Sequence, residues 1–449
     1  VAAKKQDPGR LVGTVYAANT VGAIVGAILT SLILIASLGT QQTQRTLIGL
    51  AAFSAMLVLV PVVSPDDKGT LQFKLSSAVW LLVLLVSGGT LAKTVHPVPG
   101  LLVGYGRYAV TWLKDHGEFI FVGEGMNSSM AVSRLNNGVL NYHNAGKVQA
   151  SSEIQDMRLQ RMLGHITTLV PAHPSSVLVI GCGAGVTAGA VSIDPAVTRE
   201  TIAEIEPLVP NVVSHFFAEH NFDVVNNPKV HVQIDDARHF LLTTNEKFDA
   251  ITSDPFDPWV KGAATLYTKE FFDVMKQHLN PGGAVTLFVQ LYDGDSSVAK
   301  SQIGTFLAAF PKGVIFANTE NGQGYDLVML GQAEGSHIDV DAITAKLQRP
   351  EYLPIAQSLH DIGFNSTLDL FGTYAGKLPE LQPWLADAQI NTDRNLRLQY
   401  LAGMSLNKFV QDQVFRDILK YRTFPADLFA GSPETLGTLR SIVMLNPSR

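Results

Sequence analysis

Hydrophobic and polar positions along the chain fall into two regimes. Through the first hundred residues the apolar positions are continuous rather than periodic. Residues 11–44 contain no Asp, Glu, Lys or Arg, and neither do residues 46–65 or 75–92. Each run is long enough to cross a hydrocarbon core of ~30 Å, which takes ~20 helical residues. Buried helices of a large soluble core would also be apolar, but three uncharged runs in succession, separated by short polar links, fit membrane spans better. The pattern therefore predicts a membrane region over 1–98 with about three transmembrane helices. The runs are too long and too repetitive for a cleavable signal peptide. Gly22 and Gly26 form a G-x-x-x-G step of the kind that lets another helix approach closely.

From about Gly100 the pattern changes. Over 99–152, short β-type runs are broken by the turn signals Asn136-Asn137-Gly138 and Asn144-Ala145-Gly146, which predicts a small antiparallel β subdomain. Beyond it, strand-like runs at 177–180, 201–205, 230–234, 250–253, 284–289, 314–317 and 326–330 alternate with helical stretches. The last two lie too close together for an intervening helix and read as a hairpin. Five β-α units and a closing hairpin predict an α/β fold over 153–449: a doubly wound, seven-stranded Rossmann-like sheet with a helical C-terminal extension.

Composition narrows the class. A chain of 449 residues is too long for one ordinary core. A net charge of −6, from 33 basic and 39 acidic residues, makes no case for nucleic acid as a partner. The single cysteine, Cys182, excludes an intrachain disulfide framework and a cysteine-rich metal site. Mean hydropathy is +0.18, high for a soluble enzyme, and the excess sits near the start.

Candidate chemistry collects where the strands end, which is where doubly wound sheets bind ligands. Gly181, Gly183 and Gly185 form the turn after the first strand, where glycines let a backbone approach a ligand. Glu204 and Glu206 end the second strand, about 20 residues on, and either could accept hydrogen bonds from ribose hydroxyls. Asp235 and Asp236 follow the third, Asp254 and Asp257 the fourth, and Gln290 the fifth. Any one of these carboxylates could equally be a helix N-cap or a solvated loop residue. His215, His220, His231 and His239 lack the spacing of three or four that shares a helix face, and read as surface or packing residues rather than metal ligands. Cys182 reads as packing within the turn. Trp259 could line a pocket or fill core. Residues 409–430 look like an amphipathic helix and a loop at an edge or subunit contact.

Several stretches, in order, carry a family resemblance: "NAGKVQASS", "LGHITTLVP", "VLVIGCGAG", "AEIEPLV", "NNPKVHVQIDDARHFL", "FDAITSDPFDP", "LYTKEFF", "LNPGGAVTLFVQ" and the late "INTDRNLRLQY". From about residue 119 to 400 the chain resembles the spermidine synthase family, the polyamine aminopropyltransferases, whose fold is methyltransferase-like. With its apolar runs it looks most like the bacterial membrane-fused members. The resemblance implies decarboxylated S-adenosylmethionine as donor substrate, an amine such as putrescine as acceptor, and no metal. By the same resemblance, Glu204 binds ribose, Asp236 the adenine amino group, and Gln149 the donor. Asp254 deprotonates the attacking amine, Asp257 holds the acceptor's ammonium, and His165 and Gln290 belong to the substrate pocket.

The chemistry agrees with that assignment. An amine of pKa ~10.4 arrives protonated, a nearby carboxylate can take up its proton during attack, and clustered acids suit a dication. The sequence also departs from the family. Its turn is G-G-G-D-G, whereas Ala184 stands here in place of the Asp that pairs with the donor's aminopropyl ammonium, and the tyrosine usual before His165 is absent. The turn equally resembles that of methyltransferases using intact S-adenosylmethionine. Three readings stay open: an aminopropyltransferase, a methyltransferase, and a non-catalytic membrane-anchored nucleoside-binding or partner module. The expected location is the bacterial inner membrane, multi-pass, with lipid and a homo-oligomer as partners. Lys4, Lys5 and Arg10 favour a cytoplasmic start. Three spans would then put the remainder outside, whereas an enzyme using such cofactors should face the cytoplasm.

Overall fold

The structure is a computed structural model and describes residues 7–59, 75–320, 322–334 and 337–445. The chain forms two compact units, Val1–Ala131 with His143–Lys147, and Val132–Tyr142 with Val148–Arg449. The division differs from the expected boundaries at 98 and 152. It passes through a four-stranded sheet of order β1 (Glu118–Glu124), β2 (Ser129–Arg134), β3 (Leu140–Asn144) and β4 (Lys147–Ser151), which contributes residues to both units. The turn between β3 and β4 uses Ala145 and Gly146, both at positive φ (53° and 74°), as a tight two-residue hairpin requires.

In the first unit, α1 (Pro8–Leu29) starts with Asp7 as its cap, accepting from Gly9 N–H at 3.0 Å, and with proline in the first turn. It continues through a π-helical turn, Thr30–Leu34, into α2 (Ile35–Leu59). Gly39, at φ 75° and ψ 165°, interrupts the helical backbone, and the carboxylate of Glu124 accepts from both Thr40 N–H and Thr40 Oγ1 just beyond it. That carboxylate satisfies an amide left open by the break. Arg45, the cation separating the first two apolar runs, donates from Nε to Ala92 O at 3.1 Å and from its guanidinium to Val95 O at 3.2 Å, at the end of α3 (Leu75–Thr94).

The expectation of about three spans is corrected here. Among the described residues, one helix is long and apolar enough to cross a membrane, Pro8–Val58. The first two uncharged runs belong to this one helical path, and residues 60–65 of the second lie outside the described residues. The apolar part of the third, Val79–Thr94, is ~24 Å at 1.5 Å per residue, short of the ~30 Å hydrocarbon core. An added Cβ at Gly22 or Gly26 would meet nothing within 4 Å, so their shared face contacts no helix among the described residues.

The second unit is built on an eight-stranded sheet. Its strands are β5 (Ser176–Ile180), β6 (Arg199–Glu204), β7 (Val230–Ile234), β8 (Phe248–Ser253), β9 (Leu279–Gln290), β10 (Val314–Glu320), β11 (Gln323–Gln332) and β13 (Tyr374–Lys377). A separate two-stranded pair joins β12 (Ile338–Asp339) to β14 (Phe429–Ala430). The large sheet has the order β13-β10-β11-β9-β8-β5-β6-β7. β7, β6, β5, β8 and β9 are parallel, and β10 and β11 form the expected antiparallel hairpin. All seven strand-like runs of the sequence are present. The eighth, β13, is four residues at the outer edge, too short to show a period of two.

Alternate side chains of the parallel strands enter opposite layers. Leu178, Ile180, Ile251, Val285, Leu287 and Val289 pack with Phe271, Phe272, Phe306 and Phe310 from α9 (Lys269–Gln277) and α10 (Ser296–Ala309) and from the residue following α10. The C-terminal amphipathic segment joins the same core: Val414, Phe415 and Ile418 of the helix Gln411–Leu419 are buried there, so its apolar face is spent on its own sheet rather than on a subunit contact.

Elsewhere α5 (Ile154–Leu169) packs on α6 (Val186–Ser192) across Gly164, where an added Cβ would lie 2.6 Å from Thr187 O and 2.7 Å from Ala190 Cβ. Gly164→Ala should therefore overpack this contact and destabilise the unit by ~1–3 kcal/mol. A urea midpoint equal to that of the wild type would refute the close approach.

Candidate active site

The strand order reverses between β5 and β8, so the turn after β5 emerges beside the end of β8, with Ile180 opposite Ser253. The turn needs three left-handed residues: Gly181 at φ 83°, Gly183 at 52° and Gly185 at 80°. An added Cβ at Gly183 would meet nothing within 4 Å, so this glycine presents bare backbone to open space. The turn is clamped from β6. Glu204 is 7% exposed, and its carboxylate accepts from Cys182 N–H at 2.8 Å and from Glu206 N–H at 2.9 Å. Burial raises the Glu204 pKa, and the amides that bond it act in the opposite direction. Glu206 accepts from Leu208 N–H at 3.1 Å, at the start of the next helix, and so serves the backbone there. Cys182 is buried, and burial, reinforced by the carboxylates of Glu204 and Glu200, pushes its thiol well above the usual range, as a packing residue requires.

Ala184 is 1% exposed, and its carbonyl accepts from Asn221 Nδ2 at 3.0 Å. Its side chain is enclosed within the turn and offers no group to a ligand.

Asp254 follows β8. Burial, with a smaller contribution from the charge of Asp156, raises its carboxyl to about 6, against the donation of Thr187 Oγ1 at 3.3 Å. Asp257 is buried three residues on. The loop between them is held by Tyr267, whose hydroxyl lies 3.4 Å from both Pro255 O and Phe256 O. Burial pushes the Tyr267 phenol well up, and Asp257 and Asp254 add to it. Tyr292 is raised by burial, then by Asp326, Tyr325, Asp257 and Asp156. Those shared influences place Asp156, Asp254, Asp257 and Asp326 around one region. Asp326 of β11 stands opposite Gln290 of β9 in the ladder, on the same face of the sheet. Gln290 is 3% exposed, and its Oε1 has no hydrogen-bond partner among the described residues. A buried acceptor left unpaired is costly, and ligand recognition is a physical reason to keep one.

The residues named from sequence thus divide. Gly181, Gly183, Gly185, Glu204, Asp254, Asp257 and Gln290 lie at neighbouring strand ends. Gln149 is half-buried on β4. Asp236 is exposed and caps the helix Ala237–Thr243, accepting from His239 N–H at 2.8 Å. His165, expected in the substrate pocket, is fully enclosed midway along α5. Its Nε2 meets Ser358 Oγ at 2.8 Å, and burial, with the charge of Arg161 second, lowers its pKa to about 3. That is a neutral histidine enclosed against Ser358.

Sequence reading missed Asp156, Tyr267, Tyr292 and Asp326. Asp326 carried a signal, a lone acid inside the apolar strand "YDLVML". The other three lie on a helix turn or in loops, where no period singles them out.

Known proteins carry the same stretch. The spermine/spermidine synthase domain matches residues 156–293. Polyamine aminopropyltransferase 1 of Pseudomonas aeruginosa is 28% identical over 207 residues, 42% of this chain and 72% of that protein. The polyamine aminopropyltransferase of Aeropyrum pernix is 31% identical over 173 residues, 38% of this chain and 55% of the relative. That of an Enterobacter species is 33% identical over 138 residues, 31% and 47% respectively. The chain is a spermidine synthase-like protein. It spans about half the length of several of the curated relatives that it matches. A crystal structure of spermidine synthase in complex with the transition-state analogue AdoDATO superposes with a TM-score of 0.50 at 17% identity, over 60% of this chain and 88% of that one, which shows a shared fold. The spermidine synthase-like stretch begins at Asp156 and includes Glu204, Asp254, Asp257 and Gln290. Asp326 lies beyond it.

Glu204→Gln replaces one of two acceptor oxygens by a donor facing a backbone N–H. The ligand-free protein should lose ~1–3 kcal/mol. An unshifted melting temperature would mean that Glu204 does not clamp the turn.

Proposed function

We propose that this protein transfers an aminopropyl group from decarboxylated S-adenosylmethionine to an amine such as putrescine. The observation that carries the reading is Asp254, a carboxylate at the switch point with its pKa raised to about 6, set among further acids. The matched domain and the names of the relatives support it.

The residues present suit a nucleoside donor. Bare backbone at Gly183 admits a close approach, Glu204 lies against the turn, and Gln290 Oε1 is an unused acceptor. On this reading Gly181, Gly183, Gly185 and Glu204 hold the nucleoside, with Gln149 and Asp236 at its edges. The acceptor nitrogen attacks the aminopropyl carbon. A C–N bond forms, the C–S bond breaks with its electron pair going to sulfur, and methylthioadenosine leaves. The proton released from nitrogen passes to Asp254, while Asp257 holds the acceptor's distal ammonium. The donor's sulfonium supplies the activation of the carbon. Ala184 favours a second reading, in which intact S-adenosylmethionine is the donor, because no turn acid is present for an aminopropyl ammonium. Calorimetry with the two donors separates these readings.

Membrane attachment through the helix Pro8–Val58 belongs to the same proposal. Its apolar side chains stand in the open, with Val12 at 68% and Ile24 at 55% exposure. The protein should stay with the membrane fraction through carbonate extraction. Release of the intact chain would refute attachment.

Asp254→Asn should lower kcat by ~10²–10⁴-fold with a small effect on donor affinity. Asp257→Asn should act mainly on the acceptor's KM, since it binds ground and transition states alike. The pH profile has a definite sign. Asp254 must be ionised to accept a proton, so kcat should rise with pH through about 6 and fall off below it. A kcat flat from pH 5 to 8, or full turnover by Asp254→Asn, would rule out Asp254 as the base.

A further inference from the structure

The carboxylate that carries the proposed reaction is held from one side. Among the described residues Thr187 alone hydrogen-bonds the Asp254 side chain, donating from Oγ1 to Oδ2 at 3.3 Å. The other oxygen, Oδ1, accepts from none of them and is not fully enclosed. A helical threonine commonly returns its hydroxyl to the carbonyl four residues back. Thr14, Thr20, Thr167 and Thr305 do so, at 2.8, 3.0, 2.7 and 2.6 Å. Thr187, in the first turn of α6, departs from that pattern and reaches across to the residue after β8.

The helix that carries this hydroxyl is closely packed on two sides. An added Cβ at Gly164 of α5 would lie 2.6 Å from Thr187 O, and one at Gly189 would lie 2.2 Å from Asn221 O. Thr187 itself is 4% exposed, and a β-branched side chain is stiff about its first torsion. The hydroxyl therefore has little freedom to follow the carboxylate, and sets its place instead. The charges nearby work against ionisation. Asp156 of α5 acts on Asp254 as a like charge, and Asp257 and Asp254 both act on the Tyr267 phenol. Against burial and Asp156, the Thr187 hydroxyl is the group that favours the ionised carboxylate.

We infer that Thr187 is the positioning residue of the base: its hydroxyl fixes the rotation of the Asp254 carboxylate and leaves Oδ1 as the oxygen that takes the amine's proton. As the N–H bond breaks, its electron pair stays on nitrogen and the new O–H bond forms at Oδ1. Oδ2 becomes the carbonyl oxygen of the acid and goes on accepting from Thr187, so the contact survives the transfer. The inference rests on the aminopropyl-transfer reading, but the coupling of Thr187 to Asp254 is measurable without turnover.

The test uses the full chain in detergent with two variants. Thr187→Val keeps the shape and loses the hydroxyl, and Thr187→Ser keeps the hydroxyl. Infrared difference spectra against Asp254→Asn isolate the protonated carboxyl band of Asp254, and its loss with rising pH gives a midpoint. The wild-type midpoint is expected at about 6. Losing a hydrogen bond to the charged form should move it up by about one pH unit in Thr187→Val, while Thr187→Ser holds the wild-type value. The acidic limb of kcat should move with the band. Plateau kcat should fall by about tenfold in Thr187→Val, with the acceptor's KM within about twofold, since the base and not the ammonium contact is disturbed. If Thr187→Val fails to fold, Thr187→Ala is read in the same way. A midpoint unmoved in Thr187→Val, or moved equally in Thr187→Ser, would overturn the inference, and an undiminished plateau kcat would overturn the orienting role. A wild type that transfers no aminopropyl group would refute the reaction and the proton's route through Oδ1, while a shifted infrared midpoint would still uphold the coupling of Thr187 to Asp254.

Discussion

The second unit depends on one contact, the carboxylate of Glu204 against the backbone N–H of Cys182. The chain leaves β5 through three residues in left-handed conformation, a path only glycine follows cheaply. Such a turn has few side chains to hold it, and within itself it closes Gly185 N–H on Cys182 O at 2.8 Å. The neighbouring strand provides the anchor. Gly181 N–H reaches Ala203 O at 2.9 Å, and the next amide reaches the Glu204 carboxylate. With the turn fixed, α6 starts at Gly185, Thr187 falls in its first turn, and its hydroxyl meets Asp254 from β8. Three strand ends are thereby referred to one backbone segment, which is why doubly wound sheets bind ligands at the reversal of strand order.

Around that frame the chain concentrates negative charge where water is scarce. Asp254 pays for this with a carboxyl raised to about 6, and Tyr267 and Tyr292 respond to the same acids. Burying like charges together costs stability. A cation placed among them would offset that cost. The acids come from α5, β11 and the loop after β8, so no single element could supply the cluster alone.

Much of this architecture was legible in the sequence. The seven apolar strand runs, the closing hairpin, the glycine turn and the acids after β6 and β8 follow from periodicity and from the rule that ligands sit at strand ends. The membrane region was misjudged for a definite reason: hydropathy counts runs, but whether two runs are two helices or one depends on the backbone between them, and the Arg45 guanidinium is hydrogen-bonded to carbonyls at the far end of α3. His165 was misplaced because linear order does not say which way a helix faces. Asp236 was recognised as acidic and terminal, but the same position is a helix cap, and the amide of His239 already occupies one of its oxygens. Asp156 and Tyr292 were invisible because they meet only after α5 packs on β8, β9 and β11.

The replacement at position 184 acquires a meaning from the same geometry. A carboxylate there would sit within the enclosed turn, in a buried setting of the kind that raises the pKa of Glu204. Burial would disfavour its charged form. The chain instead keeps the turn apolar at Ala184 and carries acids on α5 and β11, at Asp156 and Asp326. On the aminopropyl-transfer reading the donor's ammonium would have to be recognised from elsewhere than the turn, and Asp156 and Asp326 are the acids left over for it. On that reading the turn would be left to the nucleoside, and specificity for the rest of the donor would fall partly to β11, beyond the matched domain's end at 293.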